Sequence, residues 1–191
     1  MNCAVPLWAK EGASVVQAND ATVKWASIRW FSSVGGVSRR NDAERSAREF
    51  AARAGVKEVR LEWVTAAAVV DLVKQAGLTD SPLWAFLSGV PERIRQAADA
   101  SGRFSALVGL LEDSAAEWFH AAFDGAYSAF APYGDEAVSL AVGAALYFAA
   151  LATAWEEAVG DAEPNPVQPA MDIFARGHWP VGMIGDCLYL V

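Results

Sequence analysis

Histidine and cysteine are scarce in this chain, two of each in 191 residues. Cys3 and Cys187 lie near opposite ends, so a single bridge is the most they can form, and no disulfide framework or zinc spacing exists. His120 and His178 are too far apart to form a zinc-type pair. Also absent are a Gly-x-Ser-x-Gly elbow, a glycine-rich phosphate loop with its lysine, and a dinucleotide fingerprint. These gaps count against catalysis and leave an enzyme with an unrecognised site as an alternative only. No cofactor or metal is implied. Residues 1–14 lack a basic segment followed by an apolar run, so no secretion signal is expected and the expected compartment is the cytoplasm.

Basic residues are missing from a long stretch. None occurs between Arg103 and Arg176. Residues 1–74 carry 11 Lys and Arg against 8 Asp and Glu, a balance of +3, whereas residues 75–191 carry 4 against 15, a balance of −11. A lobe of that sign repels nucleic acid and anionic membrane and speeds encounter with a basic protein. What the chain has in quantity is apolar material: 54% hydrophobic residues, only 20% charged, and eight tryptophans. Disorder is excluded, and a single domain of 191 residues is expected.

The uncharged run from Ala137 to Trp155 is about as long as a membrane-spanning helix. Its apolarity rests largely on Ala and Gly, its flanks (Asp135, Glu136, Glu156, Glu157) are acidic, and no basic anchor stands beside it. These features predict a core helix buried on all sides and no membrane association.

The pattern along the chain predicts a helix-rich α+β fold. It divides into a mixed β-α-β-α subregion over 1–77, a helical bundle from about residue 80 to 160, and a linker, short helix and β-hairpin over 161–191. Residues 22–31 are rich in β-formers and read as a strand with a bulge. Asn41 or Asp42 caps a helix ending at Gly55. Residues 57–64 alternate as a strand, and Thr65 caps a helix stopping at Gly77. Ser81-Pro82 starts a helix, Pro91 opens another, and residues 114–117 (SAAE) form a capping box before Trp118. A short helix covers about 170–176, and the tail from Trp179 is a hairpin turning at Gly185-Asp186.

Three arrangements could carry chemistry or nucleic-acid binding. Glu117 and His120 sit one helical turn apart, but a di-iron site needs that motif twice, and there is one copy. His178 and Cys187 could meet across the tail hairpin, with Asp172 or Asp186 orienting the imidazole. Residues 48–64 (REFAARAGVKEVRLEWV) follow a helix-turn-helix pattern near Arg39, Arg40, Arg45, Arg48 and Arg53. This gives a DNA-binding regulator as the second functional alternative. Against it, Glu58 and Glu62 would face phosphates on the recognition helix, and the strand reading competes for the same residues.

The tail from His178 to Val191 (HWPVGMIGDCLYLV) resembles the C-terminal ends of small acidic bacterial toxin-immunity proteins: a Trp-Pro, a turn with glycine, and a short aliphatic strand. The resemblance covers only these residues and the acidic lobe. It implies a non-catalytic protein-binding module that neutralises a basic toxin domain by occlusion. The candidate contacts are then Glu112, Asp113, Glu117, Asp124, Asp135 and Glu136, with exposed aromatics as anchors.

Overall fold

The computed structural model describes residues 20–37 and 39–191; Cys3, Trp8 and the question of an N-terminal signal lie outside them. Seven helices and three strands follow in the order α1 (Asp20–Ala26), α2 (Arg40–Arg53), β1 (Arg60–Trp63), α3 (Val69–Val73), α4 (Pro82–Ala100), α5 (Phe104–Phe130), α6 (Asp135–Ala158), α7 (Gln168–Ala175), β2 (Pro180–Ile184) and β3 (Cys187–Leu190). The fold is helix-rich α+β. Buried residues from Trp25 to Val191 form one contiguous cluster.

Helix α6 is the centre of the molecule, packed by α1, α3, α4, α5 and α7. It turns back on α5 after the short Ala131–Tyr133 turn and Gly134. Small residues let the two backbones approach: Ala122 and Ala126 on α5 are fully buried, as are Ala137, Ala141 and Ala145 on α6. Helix α6 is long and apolar enough to cross a membrane, and most of its apolar stretch is buried in the fold. The expectation of burial on all sides is corrected here, because Ser139, Gly143 and Tyr147 are exposed.

The sheet has the order β1-β3-β2. The predicted hairpin forms β2 and β3, turning at Gly185 and Asp186, and the 57–64 strand reading is met by β1, which pairs in parallel with β3 from Arg60↔Cys187 to Trp63↔Leu190. The strand predicted over 22–31 is overturned. Residues 20–26 are helical, and 30–35 form successive tight turns. Their β-propensity loses to burial, since Trp25, Trp30 and Phe31 all enter the core. Phe31 takes a positive φ of 56° to do so. The turn is fixed where the Ser33 N–H donates to the Gly177 carbonyl at 3.0 Å.

Four helix boundaries also differ from expectation. Arg39, not Asn41 or Asp42, precedes α2, although Gly55 does follow its end with φ 84°. The segment after Thr65 is a 3-10 turn and a five-residue helix. Pro91 opens nothing; it lies inside α4, where its missing N–H costs one helical hydrogen bond. Ser114 is buried in the middle of α5, so the capping-box pattern there caps nothing. By contrast Ser81 caps α4 as predicted, its Oγ accepting from the Trp84 N–H at 3.1 Å.

Candidate protein-docking surface

Helix α5 presents four lengthwise rows at four-residue spacing. One row, Ser114, Trp118, Ala122, Ala126 and Phe130, is buried. The next, Phe119, Phe123 and Tyr127, is exposed. The third, Glu112, Ala116, His120, Asp124 and Ser128, is exposed throughout. The fourth starts exposed at Asp113 and Glu117, then packs at Ala121, Gly125 and Ala129 against the turn holding Trp30.

The six predicted carboxylates are therefore all exposed but do not form one patch. Glu112 and Asp124 ride the outermost row, and Asp113 and Glu117 the row beside it. Asp135 and Glu136 open α6 at the far end of the helical hairpin, where negative charge suits the helix start. At 1.5 Å per residue, Glu112 and Phe130 are separated by roughly 27 Å along the axis. Glu136 is neutralised by Lys74 at 3.1 Å, while Glu112, Asp113, Glu117, Asp124 and Asp135 face no basic partner among the described residues.

The composition count did not show which aromatics reach the surface. Phe119 stacks on Phe123 with centroids 5.6 Å apart, and Phe123 on Tyr127 at 5.8 Å. This row overlooks the exposed side of α6. Between them Phe119, Phe123, Val138, Ser139, Val142, Gly143 and Leu146 enclose a hollow of about 280 Å³. On the other flank of α6, Trp84, Leu87, Tyr147, Phe148, Pro180 and Val181 line an apolar groove of about 460 Å³. Gly143 and Ala144 are consecutive but face opposite hollows, as do Leu146 and Tyr147, so a ridge of α6 runs along a shallow trough made of two separate apolar hollows. Partial burial raises the pKa of the half-exposed Tyr147 phenol.

With roughly 200 Å² per ring, the exposed fractions of Trp84, Phe119, Phe123, Tyr127 and Tyr147 amount to on the order of 450 Å² of aromatic surface. That surface is split by the α6 ridge, with Phe119 and Phe123 on one flank and Trp84 and Tyr147 on the other. The i, i+4 spacing of the row was visible in the sequence. Its outward direction was not, because the neighbouring Trp118 row has the same period.

The chemical alternatives do not assemble. His120 is exposed and contacts the Phe119 ring edge-on, and among the described residues no three His, Cys, Asp or Glu side chains converge. His178 is fully buried, its Nδ1 3.2 Å from the Val191 carbonyl and its ring against Trp63. Cys187 is a free, buried thiol at the opposite end of β3, with its Sγ 3.7 Å from a Glu62 carboxylate oxygen. Burial is the main cause that raises the Cys187 pKa; a hydrogen bond with Tyr189 opposes it, and the Glu62 charge adds to it. That is the reverse of what a nucleophilic thiolate requires. With Cys3 replaced by serine, Cys187 is expected to react with a disulfide reagent at mildly alkaline pH at least about tenfold more slowly in the folded protein than in urea; equal rates would contradict this burial. The helix-turn-helix reading fails on geometry. Residues 60–63 are a strand, and Arg48 and Arg60 are engaged with the Val59 carbonyl and Asp186.

Comparison with protein-family models, with curated proteins and with solved structures found no match for this chain.

Proposed function

We propose that this protein is a non-catalytic binding module that docks a basic protein partner through the exposed side of α5 and α6. A toxin domain neutralised by occlusion is the partner class suggested by the tail resemblance. The observation that carries the reading is the stacked Phe119–Phe123–Tyr127 row beside carboxylates that have no basic partner among the described residues. Aromatic anchors next to desolvatable charge are the composition of binding hot spots, and the uniform sign steers a basic partner.

The test is co-purification with the polypeptide encoded beside this chain's gene. A complex should form that weakens as salt rises, and Glu112→Lys with Asp124→Lys should slow its association by about tenfold at low salt. Phe123→Ala should speed its dissociation and cost less stability than truncating a buried core ring, because Phe123 is 37% exposed. Complex formation indifferent to all three substitutions would refute the assignment of this face. Salt-sensitive retention on DNA would instead restore the regulator alternative.

A further inference from the structure

We infer that the trough over α6 receives an amphipathic, basic α-helix of the partner. The inference rests on the binding-module reading and adds the shape and chemistry of the docked segment. The floor is a helix face with no charge from Ala137 to Trp155, and at its middle Gly143 leaves open space where a side chain would stand. A missing side chain on an exposed ridge lets another backbone come close. The walls are the stacked row of α5 and the Trp84 side of α4, giving two apolar hollows on either side of the ridge. Apolar groups three and four residues apart on an incoming helix meet such paired hollows, which is the geometry of helix-in-groove recognition.

Charge selects among occupants. Helices α5 and α6 carry no Lys or Arg, and the row adjoining the aromatic wall carries Glu112 and Asp124, of which Asp124 also borders the hollow on the opposite flank of α5 beside Arg29. A second copy laid face to face would oppose like charges. An anionic lipid surface is repelled by the same carboxylates. A helix with Lys or Arg flanking its apolar stripe is complementary to both the floor and the rim.

The probe is a labelled synthetic helix with Leu at i, i+3, i+4 and i+7 spacing and Lys elsewhere, titrated against the full chain by fluorescence anisotropy. A matching peptide with Glu for Lys and anionic phosphatidylserine vesicles run in parallel. The expected result is micromolar binding of the Lys helix only, weakened at least about tenfold by Gly143→Gln. That variant fills open space on a helix and should unfold no more easily than the parent, which thermal melting checks.

Three results overturn the inference. If the Lys helix binds parent and Gly143→Gln equally but is lost in Glu112→Lys with Asp124→Lys, the outer row binds alone, and the module reading survives without the trough. If no peptide binds while the gene-neighbour complex forms, the partner docks in another shape. If vesicles bind and Gly143→Gln abolishes it, the face is a membrane surface and both readings fall.

Discussion

Replacing Gly125 with alanine is expected to lower the stability of the protein by about 1–3 kcal/mol or more, the usual cost of forcing extra volume into a packed site. The sign is the informative part, because alanine in a helix interior normally stabilises relative to glycine by roughly 0.5–1 kcal/mol. At Gly125 a Cβ would stand 2.3 Å from the Trp30 carbonyl oxygen and 3.0 Å from its carbon. Both are backbone atoms of a turn held by the Ser33–Gly177 hydrogen bond, so neither can rotate aside. Gly143→Ala is the control, since nothing lies within 4 Å of its Cβ position, and it should raise stability by roughly the helix-propensity difference. Chemical denaturation of the two variants decides the matter. Equal shifts in the same direction would mean that α5 does not rest on the Trp30 turn.

A larger loss is expected from Phe174→Ala, about 3–5 kcal/mol. Phe174 on α7 is fully buried and ties its helix to two other parts of the chain: Trp30 at 5.0 Å and Phe31 at 5.7 Å in the turn after α1, and Phe148 at 5.8 Å on α6. Removing the ring opens a cavity where those segments meet, and rigid helices on two sides leave little scope for collapse. Trp179→Phe provides the comparison. Trp179 packs edge-on against Phe31 and Phe130, but its indole N–H has no acceptor among the described residues, so phenylalanine sacrifices volume and no hydrogen bond. Its cost should be well below that of Phe174→Ala. With total stabilities of about 5–15 kcal/mol typical of domains, the alanine variant should show a large fall in its denaturation midpoint. A shift under about 1 kcal/mol would place Phe174 outside the core.

The contrast between these positions shows what could be read from residues alone. Local chemistry was legible. Ser81-Pro82 starts α4, Gly55 follows α2, and Gly185-Asp186 turns the tail hairpin, because each depends on backbone preferences within a few positions. The strand at 60–63 was legible from alternation, although its partner was not. Failures occurred where distant packing outweighed local preference. Thr22, Val23 and Ile28 favour a strand, but Trp25, Trp30 and Phe31 could enter the core only through a helix and turns. Pro91 resembles a helix start, yet one lost hydrogen bond is tolerated in a helix that packs Leu83, Leu87, Val90, Ile94 and Ala98 inward. On α5 two rows compete for the interior. Small Ala122 and Ala126 go inside with Trp118 because close contact with α6 needs them, and that turns Phe119 and Phe123 outward. The individual acidic candidates were identifiable as charged residues that would be exposed. Their spread along α5 and onto α6 depends on a three-dimensional placement that spacing does not encode.

The parallel pairing of β1 with β3 has a consequence for how the polypeptide matures. Arg60 meets Asp186 at a sequence separation of 126 positions. At a synthesis rate of roughly 5–20 residues per second, β1 waits about 6–25 seconds on the ribosome before its neighbour exists. During that interval Leu61 and Trp63 belong to a naked edge able to recruit any extended segment nearby. Ribosome-associated chaperones should therefore matter more for the yield of this protein than its many local helices suggest, and slowing translation past Trp63 should increase aggregation of nascent chains.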